Sequence, residues 1–581
     1  MEVALGRVEA DLLFQHASVL NVYTGEVLTD QYVATKGSRI AYVGPPTPIL
    51  TGPSTVVVEV DNKVIIPGFV DSHLHIDELQ HLPEFLRLAM PRGTTCLALE
   101  VSAIANALGY RGAREYMESF VDQPIKVYSL VPAISLLCSD DGEGNYVVSV
   151  EEMEEMLERE DVIGIGEVYW RNVIEGDARI LRLIHRALEL GKVVEGHSAG
   201  AKNNKLAAYV ASGISSCHEP ITEQEILDRL RLGMHVMIRE GSVRRELDNV
   251  AGFANQKIDF RRLMLTSDGL WPDYVVKHGH LDYVVQKAID LGFDPVEAIR
   301  MATLNAAEYL GLDAHIGGIT PGRYADLCVI PTLRTIRPEL VVSNGRVVAE
   351  NGRLVVEPRR HEFSAYLLDW LHLPKELTPE DFNVYSPVDS GPVKVRAIEN
   401  LGDILTGESI VELDADSGII PCDVERDILK VAVIDTVRRP GRCATAFIKG
   451  YGLKAGAFAT SLTFDVASIA VVGASEMDMA AAVNRIRELS GGAVICRDGK
   501  VLAELPLPIA GAIPDLPAEE VADRIEALQQ AAWHLGSALG NPFVTLQTIT
   551  FGAVPYLRLR SGGLVDVRRN AIVDTVLATE Q

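Results

Sequence analysis

The chain has 581 residues and a formal net charge of −26; 48% of its residues are hydrophobic and 23% are charged. Such a length exceeds one core, so several domains are expected, and a chain this apolar is not extensively disordered. The acidic balance argues against nucleic acid and anionic membrane surfaces as partners and leaves a small-molecule substrate.

Residues 1–66 read as short strands and turns. An apolar run covers 10–22, Thr24-Gly25-Glu26 turns, strands follow at 32–35 and 39–43, Gly44-Pro45-Pro46 breaks, and a β-branched run covers 55–60. From Val64 onward, strand-like apolar runs alternate with long amphipathic segments. Strands are expected at 64–70, 94–100, 127–132, 162–168, 193–197, 215–218, 235–239 and 263–267, with helices at 150–159, 178–190, 223–232 and 283–291 among them. About eight β/α alternations in roughly 250 residues mark a (β/α)8 TIM-type barrel. Past Pro321-Gly322, strand-like pieces at 327–330, 339–342, 346–349 and 353–356 share the character of the N-terminal strands and are expected to complete their sheet. The proline-bearing stretch 358–392 reads as a connection. An α/β unit follows, with strands at 429–437, 445–449 and 469–473 and helices at 477–489 and 518–539. The expected fold is therefore α/β: a small flanking β-sandwich from 1–66 and 321–357, a barrel over 67–320, and a C-terminal α/β domain over 393–581.

Cys96, Cys138, Cys217, Cys328, Cys422, Cys443 and Cys496 form no CxxC pair and are expected to be reduced thiols. No run of ~20 apolar residues is available to span a bilayer. The N-terminus lacks the basic and apolar regions of a signal peptide. These features fit a cytoplasmic enzyme, expected to be a homo-oligomer.

Chemistry enters at Pro67-Gly68-Phe69-Val70-Asp71-Ser72-His73-Leu74-His75. Strand side chains alternate, so His73 and His75 share one face and can converge on one divalent ion at the C-terminal end of a barrel strand, where barrel active sites lie. Ile163-Gly164-Ile165-Gly166-Glu167, Val193-Val194-Glu195-Gly196-His197, Ile214-Ser215-Ser216-Cys217-His218 and Met264-Leu265-Thr266-Ser267-Asp268 bring further ligand types to strand ends at the same level. Four imidazoles (His73, His75, His197, His218) and two carboxylates (Glu167, Asp268) suit two divalent transition-metal ions, with Glu167 as the bridge. Such a site lowers the pKa of bound water towards ~7. Asp268 is expected to take the proton of the resulting hydroxide and pass it to the leaving group. Imidazole-plus-carboxylate sites suit manganese, iron or zinc. His278 and His280, past the last strand, are expected in loops. The expected barrel is thus a metallo-hydrolase barrel.

At this level of detail the chain resembles the adenine deaminases of the amidohydrolase superfamily. The resemblance runs through GFVDSHLHI (68–76), RGTT (92–95), AIANALG (103–109), GIGEV (164–168), EGH (195–197), HE (218–219), GMHVMIREGS (233–242), GHLD (279–282), MATLNAAEYLGL (301–312) and PGRYADL (321–327), and through FIKGYGLKAGA (447–457) and LAELPLPIAG (502–511) in the C-terminal unit. It implies a purine-metabolism hydrolase that cleaves a C–N bond, converting adenine to hypoxanthine and ammonia with manganese or iron at a two-metal site. A different cyclic amide, lactone or N-acyl compound, cleaved by the same hydroxide, is the alternative. Arg239, Glu240 and Ser242, in the MIREGS segment, are expected near the substrate. Two departures stand out. Where the family typically carries Asp-Pro-His-Glu, this chain has Glu100-Val101-Ser102-Ala103, and where it carries His-Asp-Ser-His-Asn, this chain has Phe464-Asp465-Val466-Ala467-Ser468. Phe464 and Asp465 are therefore expected in an altered pocket over retained hydrolytic machinery, with adenine a poor substrate.

Overall fold

The structure is a computed structural model and describes residues 1–136, 148–402, 404–464, 466–552, 554, 556–569 and 571–577; Cys138 and Asp465 lie outside the described residues. Among the described residues, no helix is long and apolar enough to cross a membrane.

Both flanks of the barrel enter one nine-stranded sheet. Its strand Val64–Pro67 pairs in parallel with Leu12–Asn21 on one side and antiparallel with Leu327–Ile330 on the other. Phe14, Val33 and Ile65 from the first flank and Leu327, Val329 and Val342 from the second share one buried apolar cluster, so the sheet is held as a single unit. The run 64–70, expected as one barrel strand, is two strands in two sheets: Val64–Pro67 in the flanking sheet and Phe69–His75 in the barrel. They part at Gly68, where an added Cβ would lie 2.3 Å from Thr95 Oγ1, so the chain changes sheet where it packs directly on its neighbour.

The barrel comprises a six-stranded and a three-stranded parallel sheet. Phe69–His75, Thr94–Glu100, Lys126–Val131, Val162–Tyr169 and Val193–His197 follow one another in the first; Ser216–Cys217, His235–Arg239 and Leu263–Thr266 form the second. The ring closes at both seams. Ser215 N–H donates to Val194 O at 3.0 Å, and Asp268–Gly269 pairs with Leu74 and His75. Inside, Val70, Ala98, Leu130, Met237 and Met264 pack on Ala306, Ala307 and Leu310, so the interior is a filled core and the chemistry is confined to the strand ends.

The C-terminal domain is built on an eight-stranded mixed sheet that begins with the long hairpin Gly391–Gly402/Leu405–Ala415. Helices Glu476–Glu488 and Ala518–His534 accompany it. It docks on the barrel through shared apolar core and specific contacts: the Trp271 and Phe543 rings lie 5.6 Å apart, Leu79 N–H donates to Ala512 O at 2.8 Å, and Gln547 Nε2 donates to Glu78 Oε2 at 2.8 Å. That docking carries the hairpin tip and the segment around Phe464 to the barrel mouth.

Candidate metal centre

The strand ends set the ligand geometry. His73 and His75 lie two residues apart on Phe69–His75 and share a face, with ring centroids 4.9 Å apart. Glu167 lies near the end of the fourth strand, His197 ends the fifth, His218 follows the sixth, and Asp268 follows the eighth. Asp268 adopts φ 56°, a left-handed conformation that a short polar side chain tolerates and that Asp268 holds while pairing with Leu74.

Two donor groups result, His73–His75–Glu167–Asp268 and Glu167–His197–His218, and within each the donor atoms lie within 4.8 Å of one another. In the first group, Nε2 of His73 lies 3.7 Å from Glu167 Oε1 and 3.6 Å from Asp268 Oδ1, and Nε2 of His75 lies 3.7 Å from both. In the second, His197 Nδ1 is 3.4 Å from Glu167 Oε2 and His218 Nε2 is 3.0 Å from Glu167 Oε1. Donors that share one ion tetrahedrally at ~2.1 Å lie ~3.4 Å apart, so the spacing is that of ligands around an ion. His73 Nε2, His197 Nδ1 and His218 Nε2 are buried and make no hydrogen bond among the described residues. Buried polar atoms without partners are rare, and here they converge on shared carboxylates; the residues fit divalent metal, and Glu167 belongs to both donor groups.

The surroundings fix the ligands. Glu195, fully buried, accepts from His73 Nδ1 at 2.7 Å, and a carboxylate there requires the proton on Nδ1 and leaves Nε2 bare. Tyr309 Oη donates to the other Glu195 oxygen at 3.3 Å. Behind the same strand, Asp71 accepts from Thr266 Oγ1 at 2.5 Å and pairs with His280 Nε2 at 2.9 Å. His280 lies in the short connection between two helices, as expected, and is a buried partner of Asp71, whereas His278 ends the helix Pro272–His278. Gly166, where a Cβ would lie 2.1 Å from Glu100 Oε2, lets the Glu100 carboxylate accept from Glu167 N–H at 2.9 Å.

Electrostatics separates the carboxyls. Burial raises Glu167, but His197, His218 and His73 outweigh it and hold the group well below the usual range. Asp268 is likewise held well below despite burial, by His73 and Arg239. Glu219 lies at about 2, burial being overcome by Arg239 and His197. Burial, with Asp77 nearby, pushes Glu78 up to about 8, and burial beside Glu167 pushes Glu100 up to about 8.

A cavity of about 330 Å³ opens over the donors, at the lower end of the ~300–1,000 Å³ typical of small-molecule sites. His75, Glu167, His197, Asp268, Arg239 and Phe464 are in its wall. Arg239 Nη1 reaches Glu219 at 2.6 Å and Asp268 at 3.0 Å, while its Nη2 holds Glu246 at 3.1 Å. Glu240 and Ser242, expected beside the substrate, are not in the cavity wall. Glu240 accepts from Tyr274 Oη at 3.0 Å and pairs with Lys287 at 3.0 Å, and Ser242 Oγ accepts from Trp271 N–H at 2.7 Å. Strand alternation is the reason: Arg239 faces inward, so Glu240 faces outward. Glu78, Glu195 and Glu219 were not singled out from sequence. Glu195 carried a signal, since it lies two residues before His197 and so on the same face of its strand.

The chain matches the amidohydrolase family over residues 64–349 and the adenine deaminase C-terminal domain over residues 403–571. It is 35% identical over 579 residues to the adenine deaminase of Moorella thermoacetica, covering 99% of this chain and 97% of that one. It is 34% identical over 585 residues to the adenine deaminase of Cenarchaeum symbiosum, covering 99% of this chain and 94% of that one. A β-aspartyl dipeptidase from Fervidobacterium islandicum aligns with a TM-score of 0.45 and 15% identity, over 61% of this chain and 100% of that one. Barrel and C-terminal domain are thus matched together and along nearly the full length of these relatives: the chain belongs to the adenine deaminase family of amidohydrolases.

Proposed function

We propose that the protein hydrolyses the exocyclic C–N bond of adenine or a related aminopurine, using two divalent ions, manganese or iron, held by His73, His75, Glu167, His197, His218 and Asp268. One observation carries this: two donor groups share Glu167 at the floor of a cavity walled by both domains that the family matches. The ions, when bound, would activate water at neutral pH and stabilise the negative charge that builds on oxygen and ring nitrogen as the carbon is attacked. The Asp268 carboxylate takes the water proton, held in place by Arg239 Nη1 at 3.0 Å from Oδ2. The proton then passes to the departing nitrogen. Glu219, ionised and pinned by Arg239, presents an acceptor to the substrate's N–H groups. The C-terminal domain closes the cavity and limits bulk water.

The test is to strip the protein of metal, reload it with manganese or with iron, and follow ammonia release and formation of the 6-oxopurine from adenine and substituted adenines. Turnover of at least one aminopurine is expected. Full ion occupancy with no aminopurine turned over, while cyclic amides or lactones are cleaved, would replace this reading with the other hydrolytic one.

A further inference from the structure

The two walls of the cavity differ in chemistry. The barrel wall carries Glu167, Glu219, Arg239 and Asp268. The C-terminal domain contributes Ile404, Leu405, Phe464, Phe551 and Val554, and among the described residues no charged side chain. Its two hydroxyls in the wall are already engaged: Thr463 Oγ1 donates to Val466 O at 2.8 Å and Thr548 Oγ1 to Thr545 O at 3.2 Å. The Phe464 and Phe551 rings lie 5.2 Å apart at 41°, a tilted aromatic pair on the cavity surface. Phe464 is held by its backbone, its N–H donating to Gln547 O at 3.1 Å and its carbonyl accepting from Thr550 Oγ1 at 2.5 Å. Its main chain is thereby anchored, and its ring packs against Phe551 in the wall.

A free purine base is polar along its edges. Placed against the ions and Glu219, it leaves this second wall either wet or facing polar edges with which it cannot bond. Neither arrangement uses this half-exposed apolar surface. We infer that the substrate the site is shaped for is an aminopurine carrying an apolar substituent, whose purine faces the barrel wall and whose substituent packs on Phe464, Phe551 and Leu405. This rests on the hydrolysis of an aminopurine proposed above. The chemistry balances with the substituent on either side of the scissile bond. Water supplies oxygen to the purine carbon, the bond to the exocyclic nitrogen breaks, and both water protons end on products. An N6-substituted adenine gives hypoxanthine and the free amine; a ring-substituted adenine gives ammonia and the substituted hypoxanthine.

The manganese-loaded protein is to be assayed with adenine, N6-benzyladenine and 9-benzyladenine, and binding of the three to the metal-stripped protein measured by calorimetry. Burial of ~100 Å² of substituent at ~25 cal/mol per Å² gives an advantage of roughly 10–100-fold over adenine, in kcat/KM and in affinity, for at least one benzyl compound. In Phe464→Ala and Phe551→Ala the ratio of benzyl compound to adenine is expected to fall towards one. Adenine turned over as well as or better than both benzyl compounds overturns the inference and leaves the hydrolysis of aminopurines standing. So does a benzyl preference that survives both substitutions. No turnover of any of the three at full ion occupancy removes the parent reading, and the inference falls with it.

Discussion

Replacing Glu195 with alanine removes the only carboxylate that the described structure places on His73 Nδ1, at 2.7 Å and with both side chains fully buried. The ring then has no partner to fix its Nδ1–H tautomer or its rotation, and Nε2 is no longer held towards Glu167 and Asp268. Loss of such an orienting partner weakens metal affinity by about 10–100-fold, or about 1.4–2.8 kcal/mol. A buried imidazole N–H left unbonded, together with Tyr309 Oη deprived of its 3.3 Å acceptor, adds about 1–3 kcal/mol of lost stability. The assay is ion affinity by chelator competition, with occupancy by elemental analysis, beside the denaturant midpoint of the metal-free protein. Glu195→Gln, whose amide oxygen can take the same N–H, is expected to recover most of the affinity. Wild-type ion affinity in Glu195→Ala would refute the orienting role, because nothing else in the described structure fixes that ring nitrogen.

Glu167→Ala is expected to lose ions from both donor groups, since Glu167 belongs to each; elemental analysis showing two ions per chain in that variant excludes the bridge. Asp268→Asn keeps a side chain that tolerates φ 56° and is expected to stay folded while losing about 10²–10⁴-fold in turnover, the range for a removed acid–base group; steady-state kinetics with circular dichroism checks both. Stability should also respond to acid through His235, which burial and the neighbouring Arg262 push down to about 4. The folded protein keeps that imidazole neutral while the unfolded chain protonates it near 6.5, so this contribution is intact above pH 6.5 and is lost as pH falls towards 4. His235→Gln should show a shallower fall in denaturant midpoint over that window, and identical slopes would disprove the assignment.

Periodicity made much of this molecule legible. A barrel strand buried on both faces reads as an apolar run, and a histidine or acid at the end of such a run stands out because nothing apolar explains it. His73, His75, Glu167, His197, His218 and Asp268 were visible on that basis, and the structure brings them together. The same alternation separates Arg239 from Glu240, although both stand in the one MIREGS segment. Gly68 hid the exchange of sheets, because the run 64–70 is apolar in both. Ile404, Leu405, Thr548 and Phe551 carry no local signal for a cavity wall. Their place depends on how the C-terminal domain docks, through contacts such as Gln547 to Glu78, and docking is a property of surfaces far apart in sequence.

The strand Val64–Pro67 runs directly into the strand of His73 and His75, and on its outer edge it pairs with Leu327–Ile330. The closing loop of about 260 residues costs only about 3 kcal/mol more than a ten-residue hairpin, so the delay it imposes matters more than the energy. At ~5–20 residues per second on the ribosome, roughly 13–50 s pass between synthesis of the two partners. Throughout that interval the edge that anchors the first ligand strand has no neighbour in the finished register and is open to pairing with another chain. Fragments that stop short of residue 327 should therefore be found in aggregates, with their histidines present but their strand unclamped.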